Sequence, residues 1–314
     1  MYITMSAYDL KGKTTIVTGA GSGIGHALAE MLLQAGSNVV FADLNLRPEA
    51  ELTVKTHSVS TGESGPVALF HKTDVTDWAQ LSNLWKTTLR TFGQIDVVAN
   101  IAGVYEPPSS NFWKPPGISP ESKDIIDANH GQYATISINY IAPVRLAQMA
   151  IDYWCRNPHI KGNFLAVSSM AAYLHSMESP LYMSSKAGLV SFIKSLGELY
   201  DALGIRVSAV CPGVVLTPLL EAKFGEKLEQ DDTSLTPHEC AGVILRVLIE
   251  PQWGRGSIVE TSKNFSREVW EVTVRDVQLE ALYPSSGSIS RLGKRVTEGK
   301  QKLIARLQEM GTQP

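Results

Sequence analysis

The chain has 314 residues, of which 44% are apolar and 19% are charged, so it can bury a large core and disorder is excluded as its default state. The formal net charge of -3 gives no overall basic field, which argues against nucleic acid or an anionic membrane surface as a partner. A small neutral or mildly polar ligand is the better expectation.

The spacing of the cysteines and the length of the apolar segments favour a reducing compartment and a protein without a membrane span. Cys155, Cys211 and Cys240 lie far apart with no C-x-x-C pair, a pattern that suggests neither a disulfide framework nor a zinc site. The first residues lack the pattern of a secretory signal, and no stretch approaches the roughly 20 apolar residues that span a bilayer. We therefore expect a cytoplasmic protein with no integral membrane segment and no metal site.

Short β-branched runs alternate with longer amphipathic segments from residue 13 to about residue 103, as parallel strands alternate with crossover helices. The predicted strands are TTIV (14–17), NVVFA (38–42), PVALF (66–70) and IDVVA (95–99). Helical spacing predicts helices over 24–35, 47–60 and 78–92, with Asp77 as the N-cap of the third.

A proline-rich segment then breaks this rhythm. The sequence YEPPSSNFWKPPGISP (105–120) contains five prolines, which neither a helix nor a central strand accepts. We expect an exposed, ordered insertion at about 105–130. The elements predicted after it are a helix over 132–156, a strand at 163–167, a helix over 181–203 and strands at 205–210 and 256–260.

The C-terminal segment differs in composition from the rest. We predict one α/β domain over 1–284 and a helical tail over 285–314, because a Gly/Ser stretch at 285–290 precedes a mainly basic helix pattern at 291–310. Three arrangements of the tail stay open: a helix docked on its own or a neighbouring subunit, a solvated tail, or a helix on a membrane surface.

The first predicted strand runs into a glycine-rich turn, TGAGSGIG (18–25), which opens a helix. Glycines there allow a tight turn, close approach of the backbone to a pyrophosphate, and close packing of the helix on the sheet. The helix N-terminus offers free N–H groups and a partial positive charge to phosphates. We interpret the turn as a dinucleotide site, although an isolated match of this kind can be an ordinary loop.

Asp43 ends the second predicted strand, 18 residues after Gly25. A carboxylate there accepts hydrogen bonds from the adenosine ribose hydroxyls and repels a 2′-phosphate. The next residue is Leu44 and the turn carries Ser22, so neither position offers a basic side chain to the 2′-phosphate of NADP. Arg47 is the one nearby candidate that could weaken the preference for NAD. The pattern predicts NAD; the alternative is that Asp43 only caps the next helix.

Tyr182 and Lys186 lie four residues apart in YMSSK (182–186), which places a phenol and an ammonium on one face of a predicted helix. A neighbouring cation favours the phenolate, so Tyr182 can act as a general base. Ser169, at the end of the fifth predicted strand, can hold a substrate oxygen toward Tyr182. Taken alone, the Tyr/Lys pair is more often structural; the glycine turn and Ser169 favour catalysis.

Several motifs in one order make the chain resemble the short-chain dehydrogenase/reductase family, from about residue 11 to residue 263. The agreement lies in TGAGSGIG (18–25), Asp43, Asp74-Val75, NIAG (100–103), Asn139, Ser169, YMSSK (182–186) and CPG (211–213) with Thr217. One departure is Ile101, where the family usually has a second asparagine. Asp74 and Val75 would meet the adenine, or simply cap the helix that begins near Asp77.

The resemblance implies a Rossmann-like, doubly wound parallel sheet of seven strands with helices on both faces. It also implies that Asn139 kinks a helix and holds a water in a proton relay with Lys186, and that Lys186 holds the nicotinamide ribose. The implied cofactor-binding residues are Gly19, Ser22, Gly23, Ile24, Gly25, Asp43, Leu44, Asp74, Val75, Asn100, Ala102, Gly103, Tyr182, Lys186, Pro212, Gly213, Val215 and Thr217. A homodimer or homotetramer through the helices over 132–156 and 181–203 is implied as well.

Two further stretches narrow the resemblance within the family. CPGVVLTPLL (211–220) and SIVETSKNF (257–265) are most similar to the 15-hydroxyprostaglandin dehydrogenase subgroup and its fungal relatives, which include alcohol dehydrogenases of secondary metabolism. That subgroup is NAD-linked, in agreement with the prediction from Asp43.

The predicted function is NAD-dependent interconversion of a hydrophobic secondary alcohol and its ketone by hydride transfer, with Tyr182 as general base. The predicted catalytic residues are Ser169, Tyr182, Lys186 and Asn139, and the predicted substrate contacts are Ser169, Tyr182, Met170 and His175. His175 as an exposed loop residue without a role is the alternative to a substrate contact. The alternative functions are an NADPH-dependent biosynthetic ketoreductase and a non-catalytic dinucleotide-sensing protein.

Overall fold

Eight strands form a single sheet in the computed structural model, which describes residues 6–58, 65–125, 132–224, 234–263, 269–273 and 287–310. In chain order the strands are β1 (Thr14–Thr18), β2 (Asn38–Asp43), β3 (Ala68–Lys72), β4 (Val97–Asn100), β5 (Asn163–Val167), β6 (Arg206–Pro212), β7 (Arg255–Lys263) and β8 (Val269–Thr273). Their order across the sheet is β3-β2-β1-β4-β5-β6-β7-β8.

Strands β1 to β7 are parallel, and β8 pairs antiparallel with β7. The predicted seven-stranded parallel sheet is confirmed, and β8 is an addition to it. Its sequence, VWEVT, carries the β-branched and aromatic residues that favour strands. Such a short run does not reveal whether a neighbouring strand exists to pair with it, so an eighth strand could not be predicted from the sequence.

Ten helices accompany the sheet in the described part of the chain, some of them very short. They are α1 (Gly23–Gln34), α2 (Pro48–Thr56), α3 (Trp78–Phe92), α4 (Ala134–Ile136), α5 (Ala142–Arg156), α6 (Pro180–Ser195), α7 (Leu199–Leu203), α8 (Pro218–Phe224), α9 (Pro237–Ile249) and α10 (Gly287–Met310). A π-helical turn, Ser137–Ile141, joins α4 to α5, and a 3-10 turn, Met170–Tyr173, follows β5.

Apolar side chains cover both faces of the sheet. On one face, α3, α5 and α6 bury Leu84, Leu146 and Leu189. On the other face, α1 and α9 bury Leu28 and Ile244. The central strands are buried throughout, as expected of parallel strands covered by helices on both sides. The doubly wound α/β prediction is therefore confirmed.

Two predicted helices differ from the structure in their continuity. The helix predicted over 132–156 begins at residue 134 and contains the π-helical turn. The helix predicted over 181–203 is interrupted between α6 and α7. A Cβ on Gly197 would lie 2.6 Å from the carbonyl oxygen of Arg255, so only a glycine lets the chain pass this close to β7.

Some predicted positions lie outside the described residues. These are the end of the helix predicted over 47–60, the end of the insertion (126–130) and the first residues of the tail (285–286).

The C-terminal helix α10 docks on its own chain where its side chains are described. Leu307 and Met310 pack against the apolar cluster that includes α5, and the Gln308 amide donates to the carbonyl oxygen of Ala202 at 3.1 Å. Lys300 pairs with Glu198. Docking on its own subunit was one of the three arrangements left open by the sequence. Within the described residues, no helix is both long and apolar enough to cross a bilayer.

The chain reverses its direction of progress across the sheet at β1, which pairs with β2 on one side and β4 on the other. In open α/β sheets, ligands bind outside the carboxyl ends of the strands at such a switch point. The glycine-rich turn after β1 and the residues after β4 therefore meet at the place where a ligand is expected.

Candidate active site

The glycine-rich turn joins β1 to α1 in a conformation that needs its glycines. Gly19 and Gly23 have φ of 70° and 54°, where L side chains are strained. A Cβ on Gly19 would lie 2.8 Å from the backbone of Ala102, and one on Gly25 would lie 2.1 Å from the carbonyl oxygen of Gly19. The turn thus packs directly on the segment after β4 and leaves the N-terminus of α1 open to a ligand.

A cavity of about 630 Å³ lies over this turn, within the usual size of small-molecule sites. The predicted cofactor residues that line it are Gly19, Ser22, Gly23, Ile24, Gly25, Asp43, Leu44, Asp74, Val75, Ala102, Gly103 and Thr217. The site fits a dinucleotide in two ways. The backbone cradle that side chains would fill and the open helix N-terminus fit the phosphates, and the acidic Asp43 fits the ribose.

Asp43 lies at the carboxyl end of β2 and faces the glycine-rich turn. Its carboxylate accepts hydrogen bonds from the backbone N–H groups of Gly21 at 2.8 Å and Leu44 at 2.7 Å. The N-cap of α2 is Arg47, so Asp43 does not cap that helix. Since each carboxylate oxygen can accept more than one hydrogen bond, Asp43 can brace the turn and still accept from ribose hydroxyls. Arg47 itself is exposed.

Asn100 and Thr18 connect the ends of β4 and β1. The Thr18 hydroxyl donates to the Asn100 amide oxygen at 3.2 Å and accepts from the backbone N–H groups of Ile101 and Ala102 at 3.2 and 3.3 Å. The side chain of Asn100 is therefore a buried brace between strands. Thr18 was predicted only as part of the glycine-rich motif and not as a site residue, although a polar residue ending a buried strand was a usable signal.

Asp74 and Val75 follow β3 and line the cavity. The Asp74 carboxylate accepts hydrogen bonds from the backbone N–H and the hydroxyl of Thr76, at 2.9 and 2.7 Å. The cap of α3 is Asp77, which accepts from the N–H groups of Ala79 and Gln80, as predicted. Asp74 therefore shapes the turn beside the cavity and leaves the capping of α3 to Asp77.

Tyr182 lies in the first turn of α6 with only 8% of its surface exposed. Burial raises the pKa of Tyr182 to about 12, and a hydrogen bond with Ser169 opposes that shift. The direction is opposite to the lowering expected from Lys186 because removal from water disfavours the phenolate. The structure nevertheless brings Tyr182 and Ser169 together, as the sequence predicted.

Lys186 lies one turn further along α6 and is buried. Its Nζ atom donates to the carbonyl oxygen of Val167 at 3.1 Å and lies 5.7 Å from the centre of the Tyr182 ring. Burial lowers the pKa of Lys186 to about 8. A Cβ on Gly103 would lie 3.5 Å from Nζ, so the absence of a side chain there leaves room at the ammonium.

Asn139 lies in the π-helical turn and ties three elements together. Its amide accepts from the N–H of Val104 at 2.9 Å and donates to the carbonyl oxygen of Val104 at 2.9 Å and to the Ser185 hydroxyl at 3.2 Å. The irregular helix at Asn139 agrees with the kink that the family resemblance implied. These contacts fix the segment after β4 against α6.

The segment after β6 closes the other side of the site. Thr217 lines the cavity, and its Cγ2 atom would lie 3.3 Å from a Cβ placed on Gly23. The carbonyl oxygen of Pro212 lies 3.5 Å from the Ser169 hydroxyl. Gly213 lies beside Met170, whose Sδ would be 3.4 Å from a Cβ there. The side chain of Val215 packs in the core.

His175 is exposed on the loop after the 3-10 turn. It is not among the residues that line the described cavity. Its role as a substrate contact stays a prediction.

The described part of the proline-rich insertion, residues 105–125, is not wholly exposed, which corrects the prediction. Glu106 and Ser110 are each 1% exposed. The ring of Tyr105 packs on the ring of Tyr182 with centroids 4.3 Å apart. Ser110 accepts two hydrogen bonds from Thr135 at the start of α4, from its backbone N–H at 3.0 Å and from its hydroxyl at 2.8 Å. Exposure was predicted because prolines exclude regular structure, but single buried polar residues such as Glu106 and Ser110 leave no pattern in the sequence.

Comparison with known proteins agrees with this geometry. The family model described as short chain dehydrogenase matches residues 13–227, a segment that contains the glycine turn, Asn139, Ser169, Tyr182 and Lys186. Mouse 15-hydroxyprostaglandin dehydrogenase [NAD(+)] is 29% identical over 244 residues, covering 75% of this chain and 81% of the relative.

Microbial relatives are similar to a comparable degree. A short chain dehydrogenase/reductase, dpchG, from the fungus Colletotrichum higginsianum is 28% identical, covering 83% of this chain and 96% of the relative. The 1-deoxy-11-beta-hydroxypentalenate dehydrogenase of Streptomyces exfoliatus is 29% identical, with 76% and 80% covered.

A solved structure shares the fold. The 3-ketoacyl-(acyl-carrier-protein) reductase from Brucella melitensis, complexed with NADH, superposes with a TM-score of 0.63 at 24% identity and covers 80% of this chain and 97% of its own. Since the family model matches more than half of the chain, this protein belongs to the short-chain dehydrogenase/reductase family, and it is an oxidoreductase that acts on CH–OH groups.

Proposed function

We propose that this protein is an NAD-dependent alcohol dehydrogenase that interconverts a hydrophobic secondary alcohol and its ketone. The observation that carries the proposal is the buried Tyr182 phenol, close enough to Ser169 for that hydroxyl to lower its pKa, with the Lys186 Nζ atom 5.7 Å from the centre of its ring. The same groups serve both directions: Tyr182 takes the proton of the alcohol during oxidation and returns it to the carbonyl oxygen during reduction.

Each residue near Tyr182 has a distinct part in this proposal. Ser169 donates a hydrogen bond to the substrate oxygen and holds it next to the phenol. Lys186 places a positive charge 5.7 Å from the Tyr182 ring, which favours the phenolate. Asn139 holds Val104, and with it the segment after β4, against α6. Burial of the group keeps bulk water away from the reacting atoms.

The cavity residues support NAD as the cofactor. When bound, an oxidised nicotinamide would supply the hydride acceptor and a positive charge that favours the phenolate. Asp43 would accept hydrogen bonds from the adenosine ribose and oppose the 2′-phosphate of NADP. Gly19, Gly23 and Gly25 would let the backbone and the N-terminus of α1 approach the phosphates.

Exposed apolar side chains on two segments next to the site support a hydrophobic substrate. Several large apolar side chains are exposed on the insertion and on the loop after β5. They are Phe112, Trp113, Ile118, Leu174 and Met177. Trp113 and Met177 are in contact, because the Trp113 indole N–H donates to the Met177 carbonyl oxygen at 2.6 Å. Exposed apolar surface of this kind beside a site is typical of ligand-binding clefts.

A cofactor and substrate survey tests the proposal. Purified protein is incubated with NAD or NADP and a panel of aliphatic, steroid and polyketide-like secondary alcohols, and reduced cofactor is followed by its ultraviolet absorbance. We expect turnover of hydrophobic alcohols with NAD and much less with NADP. Turnover only of ketones with NADPH would favour the ketoreductase, and tight NADH binding without turnover of any compound would favour a sensing protein. A homo-oligomeric state and a cytoplasmic location stay predictions.

A further inference from the structure

Glu106 is a buried carboxylate that the proposed reaction does not use. It lies in the proline-rich insertion with 1% of its surface exposed. Its φ of 38° makes it the only non-glycine residue with a positive φ in the described part of the chain. A bulky residue keeps such a conformation only when the surrounding contacts enforce it, and such strain is concentrated at functional sites.

Both oxygens of the Glu106 carboxylate are occupied by backbone donors. Oε2 accepts from the N–H of Tyr182 at 2.9 Å, and Oε1 accepts from the N–H of Phe112 at 3.0 Å. The carbonyl oxygen of Glu106 also accepts from the Asn111 amide at 3.3 Å. One side chain thus fixes the fold of the insertion and attaches it to the start of α6.

The start of α6 needs such an acceptor. Its N-cap residue, Ser179, makes no side-chain capping hydrogen bond, and the Ser179 hydroxyl is buried without a partner. The first N–H groups of a helix have no partner within the helix. A carboxylate at this end also interacts favourably with the helix dipole. Glu106 therefore caps α6 from a distant part of the chain, at the residue that carries the phenol.

Tyr105 connects this cap to the face of the phenol ring. It precedes Glu106 in sequence, and its ring centroid lies 4.3 Å from that of Tyr182 with a tilt of 43°. A displacement of Glu106 would move Tyr105 as well. The backbone of Tyr182 and one face of its ring are thus held by two adjacent residues of the insertion.

We infer that Glu106 is a positioning residue, which holds the proline-rich insertion on α6 and thereby sets the place of the Tyr182 hydroxyl. The inference rests on the proposed function, in which that hydroxyl exchanges a proton with substrate. Misplacement of a reacting group by about 1 Å can lower a rate about a hundredfold. Tyr105 and Glu106 line one part of the cavity. The glycine turn and Asp43, which would hold the phosphates and the adenosine ribose, lie on other elements, so cofactor affinity should change little.

The test compares Glu106→Leu with Glu178→Leu and Glu106→Gln. The first variant removes both acceptors at similar volume. Glu178→Leu makes the same change at an exposed glutamate four residues before Tyr182 and serves as the matched control. Glu106→Gln keeps one acceptor oxygen and should restore part of the loss. The measurements are kcat and KM with NAD and the best alcohol of the panel, and NADH affinity by fluorescence.

We expect Glu106→Leu to lower kcat by about a hundredfold with an NADH Kd within about twofold of the parent. The kcat of Glu106→Gln should lie between those of Glu106→Leu and the parent, and the kcat of Glu178→Leu should match that of the parent. A kcat of Glu106→Leu within twofold of the parent overturns the inference, and so does a parallel loss of kcat and NADH affinity, which would indicate collapse of the whole site.

An activity-independent measurement completes the test. Hydrogen–deuterium exchange of the peptide that contains Tyr182 should be faster in Glu106→Leu and unchanged in Glu178→Leu, and unchanged exchange in both contradicts the inference. If Glu106→Leu does not fold, Glu106→Gln and Tyr105→Leu decide the matter: a parent-like kcat in both overturns it. If Tyr182→Phe retains turnover, the proposed function itself fails; if only Glu106→Leu is parent-like, the function stands and this inference fails.

Discussion

The Nζ atom of Lys186 lies 5.7 Å from the centre of the Tyr182 ring and donates to the carbonyl oxygen of Val167. The two side chains share one face of α6, but the ammonium is held by the end of β5 rather than by the phenol. Their environments push the two pKa values apart, Tyr182 from 10.0 up to about 12 and Lys186 from 10.5 down to about 8. Both shifts arise mainly from burial, which disfavours the charged forms.

Tyr182→Phe should remove the proton acceptor while keeping the ring. General acid–base catalysis contributes about 10²–10⁴-fold to a rate, so we expect kcat to fall at least about a hundredfold. The Kd for NADH, measured by fluorescence, should stay within about twofold, because the cradle for the cofactor is unchanged. Tyr133→Phe, at an exposed tyrosine, is the control and should keep parental kcat. Near-normal turnover of Tyr182→Phe would show that another group moves the proton.

Lys186→Met should abolish activity but raise stability near neutral pH. Burial lowers the pKa of Lys186 from 10.5 to about 8, so between these values the unfolded chain binds more protons than the folded one. The stability of the parent protein therefore rises with pH across this window. The unfavourable burial of the ammonium is fully present below about pH 8 and is gone above about pH 10.5.

The size of this effect follows from the same shift. It corresponds to roughly 3 kcal/mol, and loss of the hydrogen bond to Val167 offsets about 1 kcal/mol. Urea unfolding at pH 7 should thus show Lys186→Met to be more stable by roughly 2 kcal/mol, with a smaller difference at pH 10. A variant less stable than the parent at pH 7 would mean that the ammonium is not desolvated in the folded protein.

Asp43→Ser should change the preference between cofactors. Loss of the carboxylate removes an acceptor for the ribose hydroxyls and a negative charge that opposes a 2′-phosphate. We expect NADH binding about tenfold weaker, or ~1.4 kcal/mol, and a smaller ratio between the Kd values for NADPH and NADH. Asp43→Asn serves as the control for the turn, because it retains an oxygen for the N–H of Gly21. Equal losses for both cofactors in Asp43→Ser would mean that Asp43 only supports the turn.

Gly25→Ala should damage the cofactor site through contact with the backbone. The added Cβ would lie 2.1 Å from the carbonyl oxygen of Gly19, so α1 must move away from the turn. We expect a lower thermal midpoint and a loss of NADH affinity of tenfold or more, about 1.4 kcal/mol. Gly242→Ala is the matched control: its Cβ meets nothing within 4 Å, and alanine in a helix interior should stabilise α9 by up to about 1 kcal/mol. Unchanged NADH binding in Gly25→Ala would place the cofactor elsewhere.

Local patterns were sufficient for the elements that carry the site. The strand NFLAV was predicted with its observed bounds, Asn163–Val167, and Asp77 was predicted as the cap of α3, which it is. Runs of apolar residues and capping residues act over a few positions, so their consequences can be read directly from the chain. The glycine turn is similar, because its φ values and the helix that follows are set within eight residues (18–25).

Other features needed contacts between distant parts of the chain. The eighth strand exists because β7 offers it an edge, and the break between α6 and α7 reflects the approach of Gly197 to the backbone of Arg255. The upward shift of the Tyr182 pKa depends on how much protein surrounds the phenol. None of these can be deduced from spacing, since burial and pairing are properties of the assembled molecule.

The sequence alone determined the alternation of parallel strands and crossover helices, the glycine turn with Asp43, and the presence of Ser169, Tyr182 and Lys186, because periodicity and short motifs encode them locally. The doubly wound arrangement of the sheet was implied by the family resemblance. Only the tertiary structure decided that Glu106 binds the N–H of Tyr182, 76 residues away, and that the insertion lies against α6. A hydrogen bond between such distant residues depends on how the elements pack, and packing leaves no repeating pattern in the order of amino acids.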